Sequence, residues 1–119
     1  MNIGSLEQYL SKCNGTESSY PFGPEALVYK VMGKMFALVS KGEEIPRVTL
    51  KCNPDDGALL IGQFDSVIPG YHMNKKHWIT ISLTGELPEE MLKDLADDSY
   101  NLIVAKLTKK AKENLKKQC

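Results

Sequence analysis

Apolar residues along this chain switch between two periods, and the switches lay out its elements. Ile3, Leu6, Tyr9, Leu10 and Cys13 fall at helical spacing and predict a short helix over about 4–13. Asn14-Gly15 provides a stop signal for it. A loop is expected to follow from there through Tyr20-Pro21-Phe22-Gly23-Pro24, where two prolines and a glycine predict a rigid, irregular approach to the sheet. Period two then takes over. Leu27, Tyr29 and Val31 share one face of a strand over about 26–31, and Met32-Gly33-Lys34 turns the chain into a second strand over about 35–41. A connection holding Gly42 and Pro46 leads to a third strand, about 47–52. There Val48, Leu50 and Cys52 alternate with Arg47, Thr49 and Lys51, which predicts a half-buried strand with one wet face.

Asn53-Pro54-Asp55-Asp56 reads as a helix start, with a cap, a proline in the first turn and acids at the positive end of the dipole. The helix over about 54–64 contains Gly57 and Gly62, which weaken it by roughly 1 kcal/mol each if interior. An irregular strand over about 66–71, bent at Pro69-Gly70, and a regular one over about 77–83 follow. In the latter, Ile79, Ile81 and Leu83 face the core, and Trp78, Thr80 and Ser82 the other side. Thr84-Gly85 turns into a helix that starts at Leu87-Pro88-Glu89-Glu90. Its apolar face runs through Met91, Leu92, Leu95, Ala96, Ser99, Leu102 and Ile103, with Asp97-Asp98-Ser99 as a point of interruption. Thr108 to Lys117 reads as a capped basic helix, prone to fray. The order is α-β(3)-α-β(2)-α plus this last helix. It predicts a single α+β domain over 1–119, an antiparallel sheet with helices packed on one side.

Composition changes this picture little. The 119 residues are enough for one core, and no stretch approaches the roughly 20 apolar residues of a membrane span. No basic region followed by an apolar run opens the chain, so a cytoplasmic protein without membrane contact is expected. Cys13, Cys52 and Cys119 match no metal or redox spacing and suit a reducing compartment. The net charge of zero hides an asymmetry: the basic segment 106–119 holds six lysines against Glu113, so it carries +5 and the remainder −5. Such a segment either attracts polyanions or solvates a terminal helix.

Candidate chemistry concentrates in Pro69 to Trp78, which holds both histidines, the single tryptophan and a lysine pair. His72 and His77 lack further ligands at workable spacing, and the adjacent lysines repel a cation, so no metal or other cofactor is expected. The pairs Asp55-Asp56 and Glu89-Glu90 sit at helix starts, where the dipole accounts for them. No catalytic motif or phosphate-cradling glycine loop is present, so no enzyme is expected. What remains is a polar surface of Arg47, Thr49, Lys51, Asn74, Lys75, Lys76, His77 and Trp78. Its lysines and arginine suit phosphates, its asparagine suits base edges, and its tryptophan suits stacking. Solvated strand faces commonly carry such residues too, and Trp78 would also be at home beneath a helix or loop.

Several stretches together resemble the MmcQ/YjbR family of small bacterial proteins. They are Tyr20 to Val31 with Gly33 to Leu38, Pro46 to Cys52, Val67 to Trp78, Leu87-Pro88 and Asp98-Ser99-Tyr100. Gly57 and Gly62 depart from the family's pattern, in a helix usually richer in acids. The resemblance implies a fold like that of type III secretion chaperones, α-β(3)-α-β(2)-α, and no enzymatic activity. Two functions are expected. One is DNA binding, with Arg47, Lys51, Asn74, Lys75, Lys76, His77 and Trp78 contacting double-stranded DNA. The other is a protein-interaction or homodimerisation module, anchored by an exposed Trp78.

Overall fold

The protein's structure, a computed structural model, describes residues 3–21, 23–42, 44–70 and 77–117, with positions 116 and 117 described by backbone alone. The described elements are α1 (Ile3–Ser11), β1 (Thr16–Ser19), β2 (Ala26–Val31), β3 (Lys34–Ser40), β4 (Arg47–Lys51), α2 (Pro54–Gln63), β5 (Val67–Pro69), β6 (Trp78–Ser82), α3 (Glu89–Ala105) and α4 (Lys109–Lys117). The strands form one antiparallel sheet in the order β1-β2-β3-β4-β6-β5. The expected α+β architecture is present.

The alternation placed the apolar face correctly. Leu27, Tyr29, Val31, Ala37, Val39, Val48, Leu50, Ile79 and Ile81 form one core. Leu6 and Leu10 of α1, Leu92, Ala96 and Ile103 of α3, and Leu107 and Leu115 around α4 join that core. Leu83 and Leu95 pack against it half-buried. The β2–β3 turn has positive φ at both Met32 (50°) and Gly33 (81°). That is the twist a two-residue hairpin turn requires. Gly70 closes the β5–β6 pairing: its N–H donates to the Trp78 carbonyl at 2.7 Å, and a Cβ there would lie 2.6 Å from that of Trp78.

Four expectations need correction. β1 lies where a loop was expected. Its sequence, Thr16-Glu17-Ser18-Ser19, has no apolar alternation to read, and edge pairing with β2 alone makes it a strand. α3 runs through Asp97-Asp98-Ser99 unbroken, because Ser99 is fully buried and its hydroxyl is satisfied on both sides. α4 is docked rather than loose. Leu115 is buried, its carbonyl accepts from Asn14 Nδ2 at 2.9 Å, and Thr108 Oγ1 caps the Ala111 N–H. Finally, the face opposite the helices is not wet in its middle. Thr49 and Thr80 are 3% and 2% exposed, and Val28 on the same face is 1% exposed. These threonines stay buried because their hydroxyls bond to each other at 2.9 Å.

No helix among the described residues is long and apolar enough to cross a membrane. The expected 66–71 strand extends over Val67–Pro69, and its end at Tyr71 lies outside the described residues.

Candidate nucleic-acid interface

The β4–β6 register builds the candidate surface from two columns: Arg47 opposite Ser82, Thr49 opposite Thr80, and Lys51 opposite Trp78. Successive side chains alternate across a strand, so these six share the face away from the helices. The columns do not form one patch. The buried Thr49–Thr80 pair separates Arg47 from Lys51, four residues and therefore about 13 Å along the strand. Arg47 is half-buried and belongs to the far end.

At the near end, Trp78 is half-buried rather than enclosed, and Lys51 Nζ stands 5.9 Å from its ring centroid. That is the outer range of a cation–π contact. His77 is half-buried, and its carbonyl accepts the Cys52 N–H at 2.8 Å. Asn74, Lys75 and Lys76, the remaining expected contacts, lie outside the described residues, as does His72.

Lys106 completes the near end. It caps the C-terminus of α3 and comes up to Lys51, far from it in sequence. The neighbouring Lys106 amine and then burial hold the Lys51 pKa down at about 8. Among the described residues, neither lysine has a carboxylate partner. Two cations brought together without a counter-charge favour an anion between them. Sequence reasoning placed Lys106 in the basic terminal segment. No local spacing signals its approach, which depends on α3 packing across β3 and β4. Among the described residues, no group of three or more His, Cys, Asp or Glu side chains could hold a metal.

The fold and this strand-end cluster define a class: a small α+β domain whose antiparallel sheet carries its helices on one face, with a tryptophan and two lysines gathered at one end of its strands. The YjbR family model matches residues 11–102, and the chain belongs to the YjbR family. It is 42% identical over 100 residues to the uncharacterized protein YbdF of Escherichia coli, covering 84% of this chain and 82% of that one. It is 38% identical over 104 residues to the uncharacterized protein YjbR of Escherichia coli, covering 87% and 88%. The crystal structure of Deinococcus radiodurans protein DR2400, a DUF419 domain, superposes with a TM-score of 0.88 at 34% identity, covering 96% of this chain and 87% of that one. A Pseudomonas syringae protein superposes with a TM-score of 0.70 at 28% identity, covering 86% and 98%.

Proposed function

We propose that this protein is a small, non-enzymatic DNA-binding protein that holds duplex phosphate between Lys51 and Lys106, with Trp78 against the sugar–base edge. The observation that carries this reading is the lysine pair, two neighbouring amines without a carboxylate partner, one of them near the face of a partly exposed tryptophan. A phosphate there relieves the repulsion that depresses Lys51. The whole chain is neutral, so binding is modest and mostly electrostatic. Fluorescence anisotropy of a labelled duplex tests this. Binding should be measurable near 50 mM salt and lost near about 200 mM. The Lys51→Ala/Lys106→Ala double variant should flatten the salt dependence by about one phosphate contact. No binding at the lower salt, or binding that the double variant leaves unchanged, overturns the reading.

A protein-interaction or homodimer role has one observation in its favour. β5 is an edge strand, and its Ile68 is 36% exposed on the face of the Thr49–Thr80 pair. Edge strands with exposed apolar side chains accept partner strands. Light scattering that gives a monomer at all accessible concentrations removes the homodimer form of this reading.

A further inference from the structure

A cleft of about 380 Å³ opens between α2 and α3, within the size range of small-molecule sites. Its floor is apolar: Leu50 from β4, Ile79 from β6, and Leu95 and Leu102 from α3. Its rim is polar and comes from both helices. Asn53 and Asp56 stand at the start of α2, and Asp98 and Asn101 on successive turns of α3. The buried Cys52 also lines it.

The space is kept by particular residues. Gly57, beside Asp56, lets α2 lie close to two lining residues: a Cβ there would lie 2.8 Å from Cys52 Sγ and 3.4 Å from Ile79 Cγ2. A side chain at this position would push α2 away from the sheet beside the cleft. Asn53 already spends its side-chain oxygen on the Asp55 N–H, which fixes its amide at the rim.

Charge selects among possible occupants. Partial burial and then the carboxylates of Asp94, Asp56 and Asp97 push the Asp98 pKa up. Asp56 also acts on Cys52, adding to the burial that lifts that thiol. The one lysine on the lining, Lys51, has its amine turned to Lys106 and Trp78. An anion at the acidic rim would meet repulsion. A metal would find only two carboxylates and a thiol held protonated, and would leave the apolar floor unused. A neutral apolar molecule would use the floor and leave the carboxylates uncompensated.

We propose that the cleft between α2 and α3 binds a small amphipathic amine, its apolar body on Leu50, Ile79, Leu95 and Leu102 and its ammonium between Asp56 and Asp98. The site adjoins the lysine pair: Lys51 borders both, lining this cleft while its amine turns to Lys106 and Trp78.

n-Hexylamine, n-hexanol and hexanoate share one chain and differ only in the head group, so they isolate the charge requirement. Each is titrated into the full ¹⁵N-labelled chain, following the backbone amides of Asp56, Gly57, Asn101 and Leu102 and the side-chain amides of Asn53 and Asn101. Hexylamine should shift these signals saturably, about tenfold more tightly than hexanol, with hexanoate weaker still. Asp98→Asn, at an exposed position that leaves the core intact, should bring hexylamine down to the level of hexanol. Unmoved signals, hexanoate matching hexylamine, or a preference for the amine that survives Asp56→Asn/Asp98→Asn overturns the proposal.

Discussion

The Thr49 and Thr80 hydroxyls hydrogen-bond each other at 2.9 Å in a place almost closed to water. Truncating Thr80 takes this bond from the buried Thr49 hydroxyl, which costs the desolvation of a buried polar group, about 1–3 kcal/mol. Thr80→Ala should therefore lower stability by about that much in urea unfolding, and Thr49→Val/Thr80→Val by far less, since both polar groups then leave together. Ile81→Ala, on the helix-covered face, should cost about 2–5 kcal/mol. The alternation told which face each residue occupies. It could not tell that the polar face closes over its middle, because that depends on strands paired from distant parts of the sequence. Lys51 offers a second test at this scale. Its pKa lies at about 8 in the fold against an ordinary 10.5, so folding disfavours its charged form. This penalty is fully present below about pH 8 and fades as pH rises toward the ordinary lysine value, so Lys51 alone makes stability rise across that window. Duplex binding should move the opposite way, weakening between about pH 7 and about pH 9 as the amine loses its proton. Anisotropy titrations should show this loss in the native chain and little of it in Lys51→Arg, whose guanidinium stays charged.

Elements are joined here by a single hydroxyl. β2 and β3 slip register between Tyr29 and Lys30, pairing Tyr29 with Ala37 and Lys30 with Met35, so Phe36 is the extra residue of a bulge. The β3–β4 ladder ends at Ala37–Leu50, leaving the next groups, the Phe36 carbonyl and the Lys51 N–H, without each other. Ser99 of α3 fills the gap: its hydroxyl donates to Phe36 at 2.5 Å and accepts from Lys51 at 2.9 Å. A serine in mid-helix beside two aspartates reads as a break in the sequence, and its bridging role becomes visible only once the bulge is known. Ser99→Ala should cost about 1–3 kcal/mol in chemical denaturation, against the near-neutral effect of alanine on an exposed helix face. β1 was illegible for the opposite reason. It has no hydrophobic pattern, and its existence is a matter of hydrogen bonding to β2 alone.

At the scale of the molecule, α4 belongs to the folded unit. Its lysines suggest a solvated appendage, yet Leu107 and Leu115 are buried in the common core and Asn14 fastens the Leu115 carbonyl beside α1. Leu115→Ala should destabilise the whole chain by about 2–5 kcal/mol, seen as a lower midpoint of one cooperative thermal transition; a separate low-temperature step instead would show α4 to be independent. The two apolar residues were present in the sequence, but the density of lysine around them hid their direction. The strand order carries a consequence for assembly. β1 through β4 pair in the order they leave the chain, and β5 pairs with β6, so the two groups meet only along β4 and β6. Such a long-range junction is the slowest pairing to form and the first whose loss divides the sheet. Lys51 and Trp78 face each other across that junction, and Lys106 arrives from the helix laid over the first group. A chain in which the two groups have folded without meeting thus has its secondary structure but not the proposed anion site, and phosphate affinity, if the proposal holds, becomes a gauge of whether the seam is shut.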